Sequence, residues 1–288
     1  MNSPEATLAG VRLGGDRPVV VMGALNVSPE SFHPGSVYRE TGALVDAALA
    51  MVEAGACVID VGARSTAPYL DTEVSDEEER RRLATAVEAL VAKLPVPVSV
   101  DTTRPEAARA ALESGARILN DVHGLRDPEF ARLAALHEVG VILMAFPDQR
   151  LHPGVGGELP VAMVRRLLTA CVDRARAAGV GDERVVLDPG IGFFRGETLA
   201  WDVHDVTVLA GLRELSAVGR PLCVGVSRKS FLGAITGRTA TADRLAGSLA
   251  ATAVAVVNGA ALIRTHDVAE TVDAVRVAER IARAPHDG

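Results

Sequence analysis

Ser227-Arg228-Lys229-Ser230 sets a hydroxyl, a guanidinium, an ammonium and a second hydroxyl at consecutive positions, directly after the apolar run 222–226. Lys229 is one of only two lysines, with Lys93, in a chain that otherwise carries its positive charge on arginine. An ammonium is compact and rotatable where a guanidinium is a planar fork, so the two are not interchangeable at a binding site. Alone, the segment fits a solvated loop lysine as well as one aimed at a ligand. The same arrangement recurs elsewhere: Asn26, Asp60, Asp101, Asn120 and Asp188, and Arg264 with His266, stand at the ends of short apolar runs, and Met144 ends another. Each has an ordinary reading, since such Asp and Asn residues cap helices and tolerate tight turns.

Converging on one place, these groups would do specific chemistry. Asp101 and Asp188 could accept paired N–H bonds from an aminopyrimidine-like ring, a strong and geometrically selective contact. Asn120 could donate and accept at the same heterocycle, and Lys229 could donate to a ring carbonyl. Arg264 offers a flat face for stacking and donors for an anion. Asn26 and His266 could hold a phosphate, or a Mg²⁺ that neutralises it. The implied ligand is a flat, nitrogen-rich heterocycle with an anionic leaving group.

The elements that must position these groups alternate. Strands are expected at 19–25, 57–61, 96–100, 118–120, 141–144, 185–187, 222–226 and 261–263. Helices are expected at 43–53, 76–93, 105–114, 127–137, 161–178, 205–218, 242–257 and 268–282. Ser75 precedes an acidic first turn, Pro105 suits a first helical position, and Gly55, Gly115, Gly179 and Gly259 fall just past helix ends. Eight βα units predict an α/β fold of the (β/α)8 TIM-barrel type, with the polar residues at the strand C-termini where such barrels bind ligands. A doubly wound sheet would carry a Gly-rich first turn, and Asn26-Val27-Ser28-Pro29 is not one. The whole chain, 1–288, reads as one domain, with 1–16 a short N-terminal extension.

Composition narrows the classes. Hydrophobic content of 48% with 3% aromatic suits Val, Leu and Ala strands covered by Ala-rich helices. A formal charge of -7 with no basic block excludes general nucleic-acid binding. No apolar run predicts a membrane span and no signal peptide is read at the N-terminus, so a cytoplasmic enzyme is expected. Cys57, Cys171 and Cys223 read as reduced thiols, with Cys57 and Cys223 inside buried strands. Glu77-Glu78-Glu79-Arg80-Arg81-Arg82 reads as a helix start with acid first and base later. His152 and His204 are assigned surface or loop roles for want of a metal-spaced partner.

The motifs together resemble those of the dihydropteroate synthases. They are Met22-Gly23-Ala24-Leu25-Asn26-Val27-Ser28-Pro29-Glu30-Ser31-Phe32, Ile59-Asp60-Val61-Gly62, Ser65-Thr66-Ala67-Pro68, Val98-Ser99-Val100-Asp101-Thr102, Asn120-Asp121-Val122, Asp188-Pro189-Gly190-Ile191-Gly192-Phe193, Ser227-Arg228-Lys229-Ser230 and Arg264-Thr265-His266-Asp267, in the family's order. The resemblance implies a TIM barrel and a Mg²⁺-assisted condensation in folate synthesis. The amine of p-aminobenzoate would displace diphosphate from 6-hydroxymethyl-7,8-dihydropterin diphosphate. By the same resemblance Asp101, Asn120, Met144, Asp188 and Lys229 would hold the pterin. Asn26, Arg264 and His266 would hold the diphosphate, with Asn26 on the metal. Thr66, Pro68, Phe193 and Ser230 would contact p-aminobenzoate. Lys229, Arg264 and Asp101 would carry the catalysis, and the chain would form a homodimer.

Several positions depart from the family pattern. Pro34 stands for a usual acid, Arg64 for a Glu and Ala67 for an Arg, while Phe194 replaces a small residue and Arg195 a Lys. These departures lie on the side of the second substrate. Two other readings share the pterin pocket: a pterin-dependent methyltransferase, which has no diphosphate to hold, and a pterin-binding paralogue without this turnover.

Overall fold

The computed structural model describes residues 4–28, 40–64, 74–146, 158–194 and 200–284. Its centre is a closed barrel of parallel strands in the order β10-β3-β4-β5-β6-β7-β8-β9. These are β3 (Val20–Asn26), β4 (Val58–Gly62), β5 (Val98–Asp101), β6 (Ile118–Asp121), β7 (Gly140–Met144), β8 (Val185–Asp188), β9 (Leu222–Val224) and β10 (Ala260–Thr265). Around it lie α1 (Thr41–Glu53), α2 (Asp76–Val91), α3 (Pro105–Glu113), α4 (Pro128–Leu136), α5 (Pro160–Ala177), α6 (Trp201–Ala210), α7 (Leu212–Leu215), α8 (Ser230–Thr236), α9 (Leu245–Val257) and α10 (Val268–Ala282). The expected (β/α)8 architecture is the observed one. Among the described residues no single helix is long and apolar enough to cross a membrane.

Local signals account for several boundaries. Ser75 Oγ accepts the Glu78 N–H at 3.2 Å at the start of α2, and Pro105 opens α3. Gly55, Gly115, Gly179 and Gly259 all have positive φ directly after α1, α3, α5 and α9. One boundary differs in a way that matters. The helix expected from residue 205 begins at Trp201, which brings His204 and Asp205 into its first turns and buries both. His204 is therefore a core residue and not a surface or loop one. Strand β9 ends at Val224, earlier than expected, and Cys57 precedes β4 and is exposed; the buried thiols are Cys171 on α5 and Cys223 on β9.

Two apolar cores follow from the two-residue period of the strands. Val21, Ile59, Val61, Val98, Val100, Leu119, Val141 and Leu187 face the helices. Their alternates Val20, Met22, Val58, Ile118, Ile142, Val186, Cys223 and Leu262 fill the barrel interior. The interior core has a lid. Residues 5–14 form an antiparallel hairpin, β1 (Glu5–Leu8) and β2 (Val11–Gly14), whose Leu8 and Leu13 are fully buried in that core. The approach needs Gly140 at the start of β7, because a Cβ there would come within 2.7 Å of Leu8 Cδ2 and 3.1 Å of Leu8 Cα. The span read as an extension thus closes the N-terminal mouth of the barrel.

Leu8→Ala should lower the unfolding free energy by about 2–5 kcal/mol, the range for deleting a buried leucine. Urea denaturation is the check, and a loss below about 0.5 kcal/mol would mean that the hairpin does not close the core in solution.

Candidate active site

The polar residues continue the interior face upward. Asp60 lies two residues beyond Val58, Asn120 two beyond Ile118, Met144 two beyond Ile142, Asp188 two beyond Val186 and Arg264 two beyond Leu262. Residues two apart share a face of a strand, so the N-terminal half of the barrel is filled with apolar side chains and the C-terminal half with polar ones. Register completes the ring: Asn26 is opposite Gly62, Gly62 opposite Asp101, Asp101 opposite Asn120, and Met144 opposite Asp188. Gly62 leaves room between two of these groups, since a Cβ there would stand 3.3 Å from Asn26 Oδ1 and 3.6 Å from Asp101 Cβ.

Asp60 organises the ring. Its side chain is fully buried, and three other strands supply its partners. Ser99 Oγ donates to Oδ1 at 2.6 Å, while Asn120 Nδ2 at 3.2 Å and Arg264 Nε at 2.7 Å both donate to Oδ2. Arg264 Nη2 reaches on to Asp101 Oδ2 at 3.2 Å. Asp101 Oδ1 is buried and has no hydrogen-bond partner among the described residues. Burial pushes the Asp101 carboxyl up to about 7, with Arg264 pulling against it and the like charge of Asp60 adding to the rise. Burial opposes the charge of Arg264, but Asp60 and Asp101 outweigh it and hold the guanidinium above its usual range.

On the opposite wall Asp188 Oδ1 accepts the Gly190 N–H at 2.7 Å. Lys229 Nζ donates to the Ile191 carbonyl and lies 4.9 Å from the centre of the Phe193 ring. Burial raises the Asp188 carboxyl and lowers the Lys229 ammonium, and each charge offsets the effect on the other.

The Ser227-Arg228-Lys229-Ser230 segment divides its labour. Ser227 Oγ is 2.9 Å from His266 Nδ1. Arg228 forms a bidentate pair with Asp267, through Nε at 2.8 Å and Nη2 at 2.6 Å. Its Nη1 also donates to the carbonyls of Thr241 and Ala242. Arg228 therefore ties the end of β9 to the end of β10 and is no ligand group. Lys229 is left to face the mouth, and Ser230 starts α8.

Asp101, Asn120, Met144, Asp188, Lys229, Arg264, Asn26 and His266 thus come together at the C-terminal ends of the strands, with Phe193 on an adjoining turn and Ser230 at the start of α8. Thr66 and Pro68 lie outside the described residues, as do Pro34, Ala67, Arg195 and His152. Two contributors had no assigned role in the sequence: Asp60 and Ser99. Asp60 carried a signal, being another acid at a strand end, but nothing in its spacing singled it out as the hub. Arg64 also has a visible function. It donates to the buried Glu79 at 3.2 Å and to Thr103 Oγ1 at 3.2 Å, while Arg104 Nη1 reaches the same Glu79 oxygen at 2.7 Å and the Val74 carbonyl at 2.8 Å. Both described flanks of segment 65–73 are thereby tied to α2.

A barrel with an amide, carboxylates and an ammonium converging at its C-terminal mouth belongs to the ligand-binding TIM-barrel enzymes. Residues 22–266 match the sequence model of the pterin binding enzymes. The dihydropteroate synthase of Escherichia coli is 40% identical over 264 residues, covering 90% of this chain and 90% of that protein. A solved structure of Xanthomonas albilineans dihydropteroate synthase with 4-aminobenzoic acid superposes with a TM-score of 0.86 at 40% identity, covering 98% of this chain and 100% of the other. The same enzyme in complex with 7,8-dihydropteroate gives 0.83 at 37% identity, again covering 98% and 100%. The chain belongs to the dihydropteroate synthase family of pterin-binding enzymes. It is a transferase.

Two outcomes test the network. Asp60→Ala should destabilise the protein by about 3–5 kcal/mol, because it leaves the Arg264 charge buried without its nearest partner. Chemical denaturation measures this, and a loss under 1 kcal/mol would show the pair to be solvated. Asp101 has a raised carboxyl, so its contribution to stability is complete below the unfolded value near 3.8 and is lost as pH climbs through about 7. Asp101→Asn should therefore gain in thermal midpoint relative to the parent between pH 5 and pH 8. A difference that stays constant with pH would contradict the shift.

Proposed function

We propose that the chain condenses 6-hydroxymethyl-7,8-dihydropterin diphosphate with p-aminobenzoate to give dihydropteroate and diphosphate; relatives named dihydropteroate synthase, and solved structures of one with 4-aminobenzoic acid and with 7,8-dihydropteroate, support this reading. The supporting observation is Asp101. A buried carboxylate oxygen without a partner is costly unless a ligand donates to it, and this one lies in the mouth beside Asn120 and Arg264. An aminopyrimidine edge offers the N–H groups that Asp101 Oδ1 lacks, Asp188 accepts from the same edge beside its bond to Gly190, Asn120 adds a donor and acceptor, and Lys229 donates to the ring carbonyl. Met144 lines the pocket.

The amine nitrogen of p-aminobenzoate attacks the methylene carbon of the pterin. A C–N bond forms as the C–O bond breaks, diphosphate leaves with the electron pair, and the new secondary amine loses a proton to solvent. No covalent enzyme intermediate is needed, so the rate comes from positioning and from stabilising the departing charge. Arg264 uses two of its five N–H donors on Asp60 and Asp101, which leaves donors for the diphosphate beside His266 and Asn26. Phe193 and Ser230, with Thr66 and Pro68, receive p-aminobenzoate in this reading.

Among the described residues no group of three His, Cys, Asp or Glu could hold a metal. The donor set fits a magnesium ion that arrives with the diphosphate, because Mg²⁺ needs few protein ligands when phosphate oxygens and water complete its shell. Asn26 would supply an amide oxygen, and the bound ion would neutralise the leaving group. We read the chain as a cytoplasmic homodimer; Val254 and Val257 on α9 and Val277 and Ile281 on the adjacent α10 are exposed apolar residues that such an interface could cover.

Diphosphate release from the pterin diphosphate in Mg²⁺, with and without p-aminobenzoate, is the decisive measurement. Release that depends on p-aminobenzoate and yields dihydropteroate is expected; tight pterin binding without release would favour the paralogue without turnover. Lys229→Ala and Asp188→Asn should each weaken pterin diphosphate binding by about 1.5–3 kcal/mol, roughly 10- to 150-fold in Kd. Calorimetric affinities equal to the parent's would place the pocket elsewhere.

A further inference from the structure

The first turns of α6 bury two polar side chains that the chemistry above does not use. Asp205 is wholly buried, and its Oδ1 accepts the Gly192 N–H at 2.8 Å. Its Oδ2 is buried without a partner among the described residues, and so are both ring nitrogens of His204, whose Nδ1 stands 3.8 Å from Asp205 Oδ1. His204 lies face to face with Phe194, 4.4 Å between centres and 23° between planes. A carboxylate left half-satisfied in the interior is expensive, and such a cost is retained where the charge does something for function.

The turn it grips leads to Lys229. Gly192 has φ +88°, and a Cβ there would come within 2.8 Å of Lys229 Cδ, so the turn and the lysine stem are in contact. The carbonyl of the preceding residue, Ile191, accepts Lys229 Nζ. We infer that Asp205 is a positioning residue for Lys229: it fixes the 190–194 turn against the lysine stem and supplies a second buried carboxylate beside Asp188 for that ammonium. The groups acting on Lys229 are Asp188 on β8, Asp205 on α6, Arg264 on β10 and the Cys223 thiol on β9. Burial lowers the ammonium most, Asp188 and then Asp205 raise it, and Arg264 lowers it again. The inference rests on Lys229 contacting the pterin.

Asp205→Asn keeps an oxygen for the Gly192 N–H and removes the charge. Without that charge Lys229 loses its proton at lower pH. The alkaline limb of pterin diphosphate binding, followed by calorimetry from pH 7 to 10, should therefore move to lower pH by roughly half a unit or more, with little change in affinity at pH 7. A limb that coincides with the parent's would overturn the inference. Gly192→Ala disturbs the same contact from the other side and should weaken binding at pH 7 at least fivefold; parental affinity there would also overturn it. Lys229→Ala separates the two levels. If that variant binds like the parent, the pterin contact itself is misplaced, whereas weakened binding by Lys229→Ala with an unmoved limb in Asp205→Asn rejects the role of Asp205 alone.

Discussion

The structure depends on a carboxylate placed where no water can reach it. Asp60 occupies the interior of the barrel on β4, and its charge is offset by Arg264 from β10, two strands away across β3. Removing two charges from water costs several kcal/mol per ion, and attraction compensates only when the remaining lone pairs are also filled. Ser99 and Asn120 fill them, from β5 and β6. Four of the eight strands are therefore held in mutual register by one side chain. A slip of one residue in any of them would turn its polar group toward the helices and leave the others unsatisfied.

That constraint separates the barrel into two halves with different duties. Below Asp60 the interior is filled by Val, Ile, Leu and Met and sealed by the β1–β2 hairpin, which contributes stability. Above it the groups become incompletely satisfied, as with Asp101 Oδ1. Substitutions in the lower half act through cavities, and those in the upper half through charges that have lost a partner. The Arg228–Asp267 pair keeps two of the upper segments together, so neighbouring residues in one motif serve architecture and ligand in turn. Arg64 and Arg104 do similar architectural work around Glu79.

Much of this is legible in the sequence. Eight apolar runs separated by amphipathic stretches imply the barrel, and the period of two places Asp101, Asn120, Asp188 and Arg264 on the face that continues the interior. Types and order of the strand-end residues then point to a nitrogen-rich ring. The second-substrate side was less legible, because Phe193 sits on a turn and Ser230 at a helix start, where no strand period places them, and Thr66 and Pro68 fall outside the described residues.

What the chain decided by itself was local: which runs are strands, where Ser75, Pro105 and the glycines begin and end helices, and which residue types reach the mouth. These follow from propensity, capping and alternation, all of which act over a few neighbours. What only the tertiary structure decided was partnership. Asp60 meets Arg264 across 204 positions of sequence, and Asp205 meets the Gly192 turn only because α6 begins four residues earlier than its pattern suggested. Leu8 reaches Gly140 for a similar reason: closure of the barrel brings distant segments together, and burial then forces each polar or apolar group to find its counterpart there.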